Sequence, residues 1–407
     1  MKIDPDAAGM DAARLGRIDE HLRTRYVEPG KIAGCQVVVA RHGAIAHASS
    51  LGERDRERGR PVADDTIWRL YSMTKPVTGV ALLTLYERGL FQLDDPVHRF
   101  LPAWRNLRVR QKTAEGETRL VEPQRPMRVR DLMMHTSGLG YALDNSDISV
   151  DMLRRPPGER VGKGATLETL VDRLAEAPLR FHPGTHWLYS FSTDVCARLV
   201  EVLSGQRFDD YLRTTIFEPL GMVDTGFWVT DEQADRFAAC YTRDAAKRLV
   251  LQDDPVESRY RRPMSFLSGG GGLVGTMADY VRFCLMLLGG GELDGVRILG
   301  RKTVELMASN HLPGGGELSG FALRGAYGEV GFAGTGFGLT VAVSLGPVAT
   351  GIVGSPGEYM WGGAASTLFW IDPVEDLAVV FMTQLIPSGT FNFRGQLKTL
   401  VYPAIVD

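Results

Sequence analysis

Ser72 and Lys75 stand three residues apart in "LYSMTKPVTGV", at the head of a long apolar run. A serine hydroxyl is a poor nucleophile until a neighbouring base takes its proton. An amine one helical turn away can do so once desolvation and the positive end of a helix have lowered its own proton affinity by several pKa units. The free backbone N–H groups of a helix start also favour an anion developing on the serine oxygen, and Pro76 is tolerable only near such a start. The same pair equally suits a serine that caps a helix and a lysine that snorkels toward water, so its meaning depends on the surrounding chain.

That chain must bury the pair. From about Ser72 to Arg88 the helical pattern is apolar almost all the way round (Val77, Val80, Ala81, Leu82, Leu83, Leu85), which describes a helix enclosed by protein. Upstream, "DAARLGRIDEHLRTRYV" spaces Leu15, Ile18, Leu22 and Tyr26 as one face of an amphipathic helix over Asp11 to Val27. "GCQVVVARHGAIAHASSLG" then reads as two strands around a His-Gly turn, and a third strand is expected over Thr66 to Leu70. From about Asp94 to Leu312 the segments are mostly helical, separated by Pro- and Gly-rich loops. The period then changes: "GFGLTVAVSL", "YMWGGAASTLFWIDP" and "LAVVFMTQL" read as successive strands, closed by a helix in "FNFRGQLKTLVYPAIV". Strands at both ends with helices between them predict an α+β fold, in which one antiparallel sheet from both chain ends is flanked by helices and a large helical domain is inserted. The expected bounds are 1–93 with 330–407 for the sheet domain and 94–329 for the mostly helical one, with a site at their interface.

Composition narrows the chemistry. The 407 residues are 44% hydrophobic and 23% charged, with a formal net charge of −3, an ordinary globular balance without the basic stripe that nucleic-acid binding requires. Small neutral ligands are the expected partners. The polar N-terminus does not resemble a secretory signal and no apolar run has transmembrane length, so a soluble, cytoplasmic protein is expected, off the membrane. Four cysteines, Cys35, Cys196, Cys240 and Cys284, are too scattered for a disulfide framework or a zinc site and read as small buried hydrophobes. His182 and His186 are four apart, yet Pro183 and Gly184 between them deny the helix that would join them on a metal. No metal and no cofactor is expected. His135, in "HTSGL", reads as holding a loop or helix end. The glycines of "SGGGGLVG" lack the Lys-Ser/Thr of a P-loop and read as a tight turn lining the site.

The ordered series of motifs decides between the two meanings of the Ser-Lys pair. "SMTK" at Ser72 to Lys75, "LMMHTSGL" at Leu132 to Leu139, "HPGTHWLYS" at His182 to Ser190, "GGGGLVGTMADYVRF" at Gly269 to Phe283 and "WGG" at Trp361 to Gly363 together resemble the serine β-lactamase and penicillin-binding-protein superfamily. More narrowly they are similar to its class C-like branch of family VIII carboxylesterases and related acyltransferases. The resemblance runs from roughly Ile32 to Thr383 and implies a β-lactamase-like fold. It implies Ser72 as nucleophile, Lys75 as its base partner and Tyr189 as the tyrosine that shares the proton shuttling. A phenol is a base only when held as phenolate by an ammonium, so Lys75 and Tyr189 are expected to titrate together. The backbone N–H groups of Ser72 and Ala364 are implied as the oxyanion hole, and Gly362 and Gly363 as positions where a ligand comes close to the strand.

Two departures from the lactamase pattern bear on substrate. Tyr189-Ser190-Phe191 stands where lactamases have Tyr-x-Asn, and Trp361 stands where they carry a lysine or histidine. Both changes remove polar recognition of an anionic lactam and add apolar surface, which suits an uncharged ester. Trp187, Phe191, Phe266, Tyr327 and Trp361 are candidate apolar walls. The expected activity is hydrolysis of short to medium-chain carboxylic esters through an acyl-enzyme on Ser72. Acyl transfer to an alcohol or amine is the nearest alternative, followed by weak β-lactamase or D-amino-acid peptidase activity and then a non-catalytic binding module.

Overall fold

The computed structural model describes residues 2–142 and 164–407; part of the expected helical segment, 143–163, lies outside the described residues. An eight-stranded sheet forms the centre. In chain order its strands are β1 (Gly34–Arg41), β2 (Ala44–Asp55), β3 (Arg60–Pro61), β4 (Thr335–Phe337), β5 (Ala342–Ser344), β6 (Tyr359–Gly362), β7 (Leu368–Asp372) and β8 (Leu377–Thr383). Their spatial order is β4-β5-β6-β7-β8-β1-β2-β3, antiparallel at each step, so β1 from the start of the chain pairs with β8 from its end. The sheet is thus completed by the two chain ends.

Both faces of its centre are covered. Leu368 lies opposite Phe381 and Phe369 opposite Val380, so Phe369 and Phe381 point to opposite sides. Phe369 meets Tyr280 of the helix Met277–Leu288 at 5.5 Å, whereas Phe381 meets Phe393 of the C-terminal helix Phe393–Val401 at 4.9 Å. This is why Val37 to Ala40 form a continuous apolar run and every residue of β1 is buried. The first helix, Ala12–Leu22, packs beside the C-terminal one and buries Leu15, Ile18 and Leu22, the face its spacing predicts. Although it comes from the segment expected to be inserted, Met277–Leu288 packs directly on β1, β7 and β8.

Local structure departs from the sequence expectation in three places. The strand near Thr66 is Ile67–Arg69, and it pairs with Val274–Thr276 outside the main sheet. "GFGLTVAVSL" is two strands, because Thr340 at φ 69° turns the chain between β4 and β5. The segment between the sheet halves also contains β hairpins, Val109–Lys112 with Thr118–Val121 and Cys240–Arg243 with Leu249–Asp253. No helix among the described residues is long and apolar enough to cross a membrane.

Candidate active site

Ser72 lies on a 3-10 turn, Tyr71–Met73, that leads into the buried helix Thr74–Glu87, so it precedes the helix proper. Tyr71 has φ 45°, a left-handed conformation uncommon for a residue with a side chain. That conformation is held from both sides: Leu70 donates to the carbonyl of Leu273 at 2.9 Å, and Met73 donates to the carbonyl of Leu70 at 3.1 Å. Lys75, one residue into the helix, is 1% exposed. Its Nζ donates to Ser72 Oγ at 3.2 Å and to the carbonyl of Gly270 at 2.5 Å. The same Nζ lies 4.4 Å from the ring centre of Tyr189 and 5.7 Å from that of Tyr141.

The glycine run explains how Lys75 is aimed. Thr78 Oγ1 donates to the carbonyl of Gly269 at 2.8 Å, so the loop is fixed to the same helix one turn on. On its other side stands Asp194, in the first turn of the helix Ser192–Ser204, whose Oδ1 accepts from the backbone of Gly270 at 3.2 Å and from Ser268 Oγ at 2.6 Å. A Cβ at Gly269 would lie 2.5 Å from Ala197 Cβ, and one at Gly270 would lie 2.6 Å from Asp194 Oδ2. Glycine is required at both positions because two helices grip the loop. The expectation of a tight turn lining the site corresponds to this loop, and its role is to present a carbonyl to Lys75.

Tyr189 is 5% exposed inside an aromatic enclosure. Its ring stacks on Trp187 at 6.1 Å and meets His135, Tyr141 and Trp361 edge-on at 4.9, 5.2 and 5.3 Å. The phenol oxygen is hydrogen-bonded by the Ser72 hydroxyl, and Trp361 Nε1 donates to it at 3.3 Å. Burial, then the neighbouring Tyr141 and Glu329, push the phenol well above its ordinary pKa, against the smaller opposing pull of those two hydrogen bonds. Lys75 Nζ approaches the ring face, and the raised proton affinity favours a neutral phenol over the phenolate that the sequence reading expects.

The strand Tyr359–Gly362 packs against the turn that carries Ser72. A Cβ at Gly363 would lie 2.4 Å from the carbonyl of Leu70 and 2.3 Å from Thr367 Oγ1; at Gly362 it would meet Thr367 O at 3.1 Å and Arg394 Nη2 at 3.3 Å. The sequence reading assigns these glycines to ligand approach; in the Cβ direction Gly363 packs closely on the turn that carries Ser72, and Gly362 on Thr367 and Arg394. Ala364 follows at the start of the next turn, where its backbone N–H donates no hydrogen bond among the described residues.

A family profile described as Beta-lactamase matches residues 20–400. The chain belongs to that family. Esterase EstB of Burkholderia gladioli is 32% identical over 403 residues, covering 95% of each chain. Among solved structures, EstCE1, described as a hydrolase with promiscuous acyltransferase activity, superposes with a TM-score of 0.78 at 27% identity, covering 97% of this chain and 99% of that one. The unliganded simvastatin synthase LovD from Aspergillus terreus superposes with a TM-score of 0.75 at 25% identity, covering 95% of this chain and 97% of that one.

Within this member of the beta-lactamase family, the remaining sequence candidates take distinct places. Trp361 touches Tyr189 directly. Trp187 is wholly buried behind the Tyr189 ring, and Phe191 is buried at the head of Ser192–Ser204 with its ring 5.1 Å from Tyr141. Phe266 is buried, whereas Tyr327 is 36% exposed with its ring centre 6.2 Å from that of Tyr189. His135, at φ 58°, accepts Leu188 N–H on its carbonyl at 2.9 Å and so ties "HTSGL" to the strand-like segment before Tyr189. His182 Nδ1 accepts from Gln124 N–H at 3.2 Å in a loop, as the intervening proline and glycine imply. Sequence reasoning missed Asp194, Tyr141 and Glu329. An acid in the first turn of a helix is an ordinary partner for the helix dipole, which hides Asp194. Nothing local marks the other two.

Proposed function

We propose that the protein is a serine esterase that cleaves short to medium-chain carboxylic esters through an acyl-enzyme on Ser72. The observation that carries this reading is the convergence of Lys75 Nζ, 3.2 Å away, and the Tyr189 phenol on one buried hydroxyl. The cleft is read as the boundary between a sheet domain, 1–93 with 330–407, and a mostly helical domain, 94–329. Four free, buried cysteines suit a reducing compartment, in keeping with a cytoplasmic enzyme.

The neutral phenol sets the direction of proton flow. Ser72 Oγ attacks the ester carbonyl carbon while its proton passes to the uncharged amine of Lys75. The carbonyl oxygen becomes an oxyanion received by the Ser72 and Ala364 N–H groups, each worth roughly 3 kcal/mol in comparable acyl-transfer sites. As the C–O bond to the alcohol breaks, Tyr189 donates its proton to the departing oxygen and regains one from the Lys75 ammonium. The Trp361 N–H steadies the phenol oxygen during that exchange. Water then attacks the acyl carbon, its proton passing to the Tyr189 oxygen as Tyr189 gives its own to the Lys75 amine, and the Lys75 ammonium returns a proton to Ser72 Oγ as the acyl C–O bond breaks and the acid leaves.

Hydrolysis of p-nitrophenyl butyrate by wild type and by Ser72→Ala tests the assignment, with equal rates ending it. A fluorophosphonate probe should label Ser72 in the native protein; absence of labelling favours a binding module. The EstCE1 description favours acyl transfer as a second activity, visible as a transesterified product when an alcohol is added. Phe191 and Trp361 in place of polar lactam-binding groups imply nitrocefin turnover far below ester turnover.

A further inference from the structure

Arg394 stands in the first turn of the C-terminal helix Phe393–Val401, the end of a helix that disfavours a cation. Its guanidinium forms no ion pair with a carboxylate among the described residues, and burial lowers it to about 10. A cation so placed is costly unless its donors are well used. Nη1 donates to the carbonyl of Phe369 at 2.9 Å, and Nη2 donates to the carbonyl of Trp361 at 3.0 Å and to that of Glu329 at 3.4 Å. Trp361 and Phe369 face each other across β6 and β7, so the planar fork spans one rung of the sheet. The approach is close: a Cβ at Gly362 would lie 3.3 Å from Nη2.

The clamped residue is the one whose side chain reaches the catalytic tyrosine. Trp361 Nε1 donates to the Tyr189 oxygen at 3.3 Å, and the same oxygen accepts the Ser72 hydroxyl. A bond of that length lies near the outer limit of N–H···O geometry, so a backbone shift of about half an ångström at Trp361 is enough to lose it. The indole is wholly buried among rings, 5.3 Å from that of Tyr189 and 5.4 Å from that of Phe337. None of those contacts holds its N–H, whose reach is set by the backbone that carries it.

We propose that Arg394 is a positioning residue for the ester reaction: by holding the Trp361 carbonyl it keeps the Trp361 N–H on the Tyr189 oxygen, and so keeps Tyr189 aimed to protonate the departing alcohol. The inference rests on the esterase reading and adds a dependence on the leaving group. An alkoxide departs only with a proton, whereas p-nitrophenolate departs without one, so a misaimed Tyr189 is felt by alkyl esters and hardly by p-nitrophenyl esters. An arginine that only ties the helix to the sheet would slow both alike.

The test compares kcat/KM, which reports acylation, for propyl butyrate and p-nitrophenyl butyrate. Arg394→Met keeps the bulk of the stem and removes the donors, and it should lower the propyl ester by about tenfold more than the p-nitrophenyl ester. Arg394→Lys keeps the charge but serves one carbonyl, and should give a split of about threefold in the same direction. It carries the test by itself if the methionine variant fails to fold. In a Trp361→Phe background, which lacks the N–H, the same Arg394 substitutions should add no further split. No loss, equal losses on the two esters, or a split undiminished in Trp361→Phe overturns the role. Ser72-dependent turnover of p-nitrophenyl butyrate by the wild type separates the two readings: if it is present while the losses are equal, only the role of Arg394 falls, and if it is absent, both fall.

Discussion

Asp194 holds Gly270 by its backbone N–H at 3.2 Å, and the carbonyl of that same glycine receives Lys75 Nζ at 2.5 Å. The carboxylate is therefore linked to Ser72 through Gly270 and Lys75. Asp194→Asn should lower kcat for p-nitrophenyl butyrate by about 10- to 100-fold, the loss expected when a base is displaced by a fraction of an ångström to an ångström, with KM nearly unchanged. Steady-state kinetics with a parallel thermal melt check this; an unaltered kcat removes Asp194 from the positioning of Lys75.

Ser72, Lys75 and Tyr189 share hydrogen bonds, so their contributions are not separable. Lys75→Ala and Tyr189→Phe should each cost about a thousandfold in kcat, and the double variant should lose far less than the product of the two. Multiplicative losses would mean that the two side chains work independently.

Burial keeps Tyr189 protonated well beyond the range in which a free tyrosine ionises, near pH 10. Its pKa is raised in the folded state, so the associated stability is intact below about pH 10 and declines only as pH rises beyond that. An ultraviolet difference titration of wild type minus Tyr189→Phe should show no phenolate band at neutral pH or on approach to pH 10. A band present at neutral pH would restore the phenolate mechanism.

His135 is fully buried, and burial, with the nearby Lys75 charge, holds its imidazole well below the usual 6.5. Only the unfolded chain takes up that proton as pH falls below about 6.5, so stability should drop by up to about 1.4 kcal/mol per pH unit from this residue alone. Asn tolerates the φ of 58°, and His135→Asn should have a flatter acid limb in denaturant melts between neutral pH and pH 5. Identical slopes for the two proteins would show that His135 is not the group involved.

A Cβ at Gly79, in the middle of the nucleophile helix, would lie 2.1 Å from Thr340 Oγ1. Helix propensity alone favours Gly79→Ala by about 1 kcal/mol, yet the overlap should make it destabilising by about 1–3 kcal/mol. Thr340 is itself strained at φ 69° with its hydroxyl buried and unpartnered among the described residues, so adding Thr340→Gly should restore most of the loss. A stabilised Gly79→Ala single variant would contradict the contact.

Much of the fold was legible because it rests on local pattern. The all-round apolar helix after Ser72, the stripe of Leu15, Ile18 and Leu22, and the valines of β1 each report burial through spacing that neighbouring residues define. Where the chain turned on a single residue the pattern was silent: Thr340 breaks one apolar run into two strands, and Ile67–Arg69 carries strand-like residues but finds its partner at Val274–Thr276, far along the chain. Trp361 was legible as a wall and illegible as the donor to Tyr189, because that contact spans 172 residues.

The chain by itself determined that a serine and a lysine would share one turn at the head of an enclosed helix, because three-residue spacing and apolar periodicity are local properties. Tertiary structure decided what those groups can do. It set Gly270 against Lys75 across 195 residues of sequence and surrounded Tyr189 with rings and burial that favour its proton. Proton affinity depends on the dielectric and charges around a group, and those come from segments that only folding brings together.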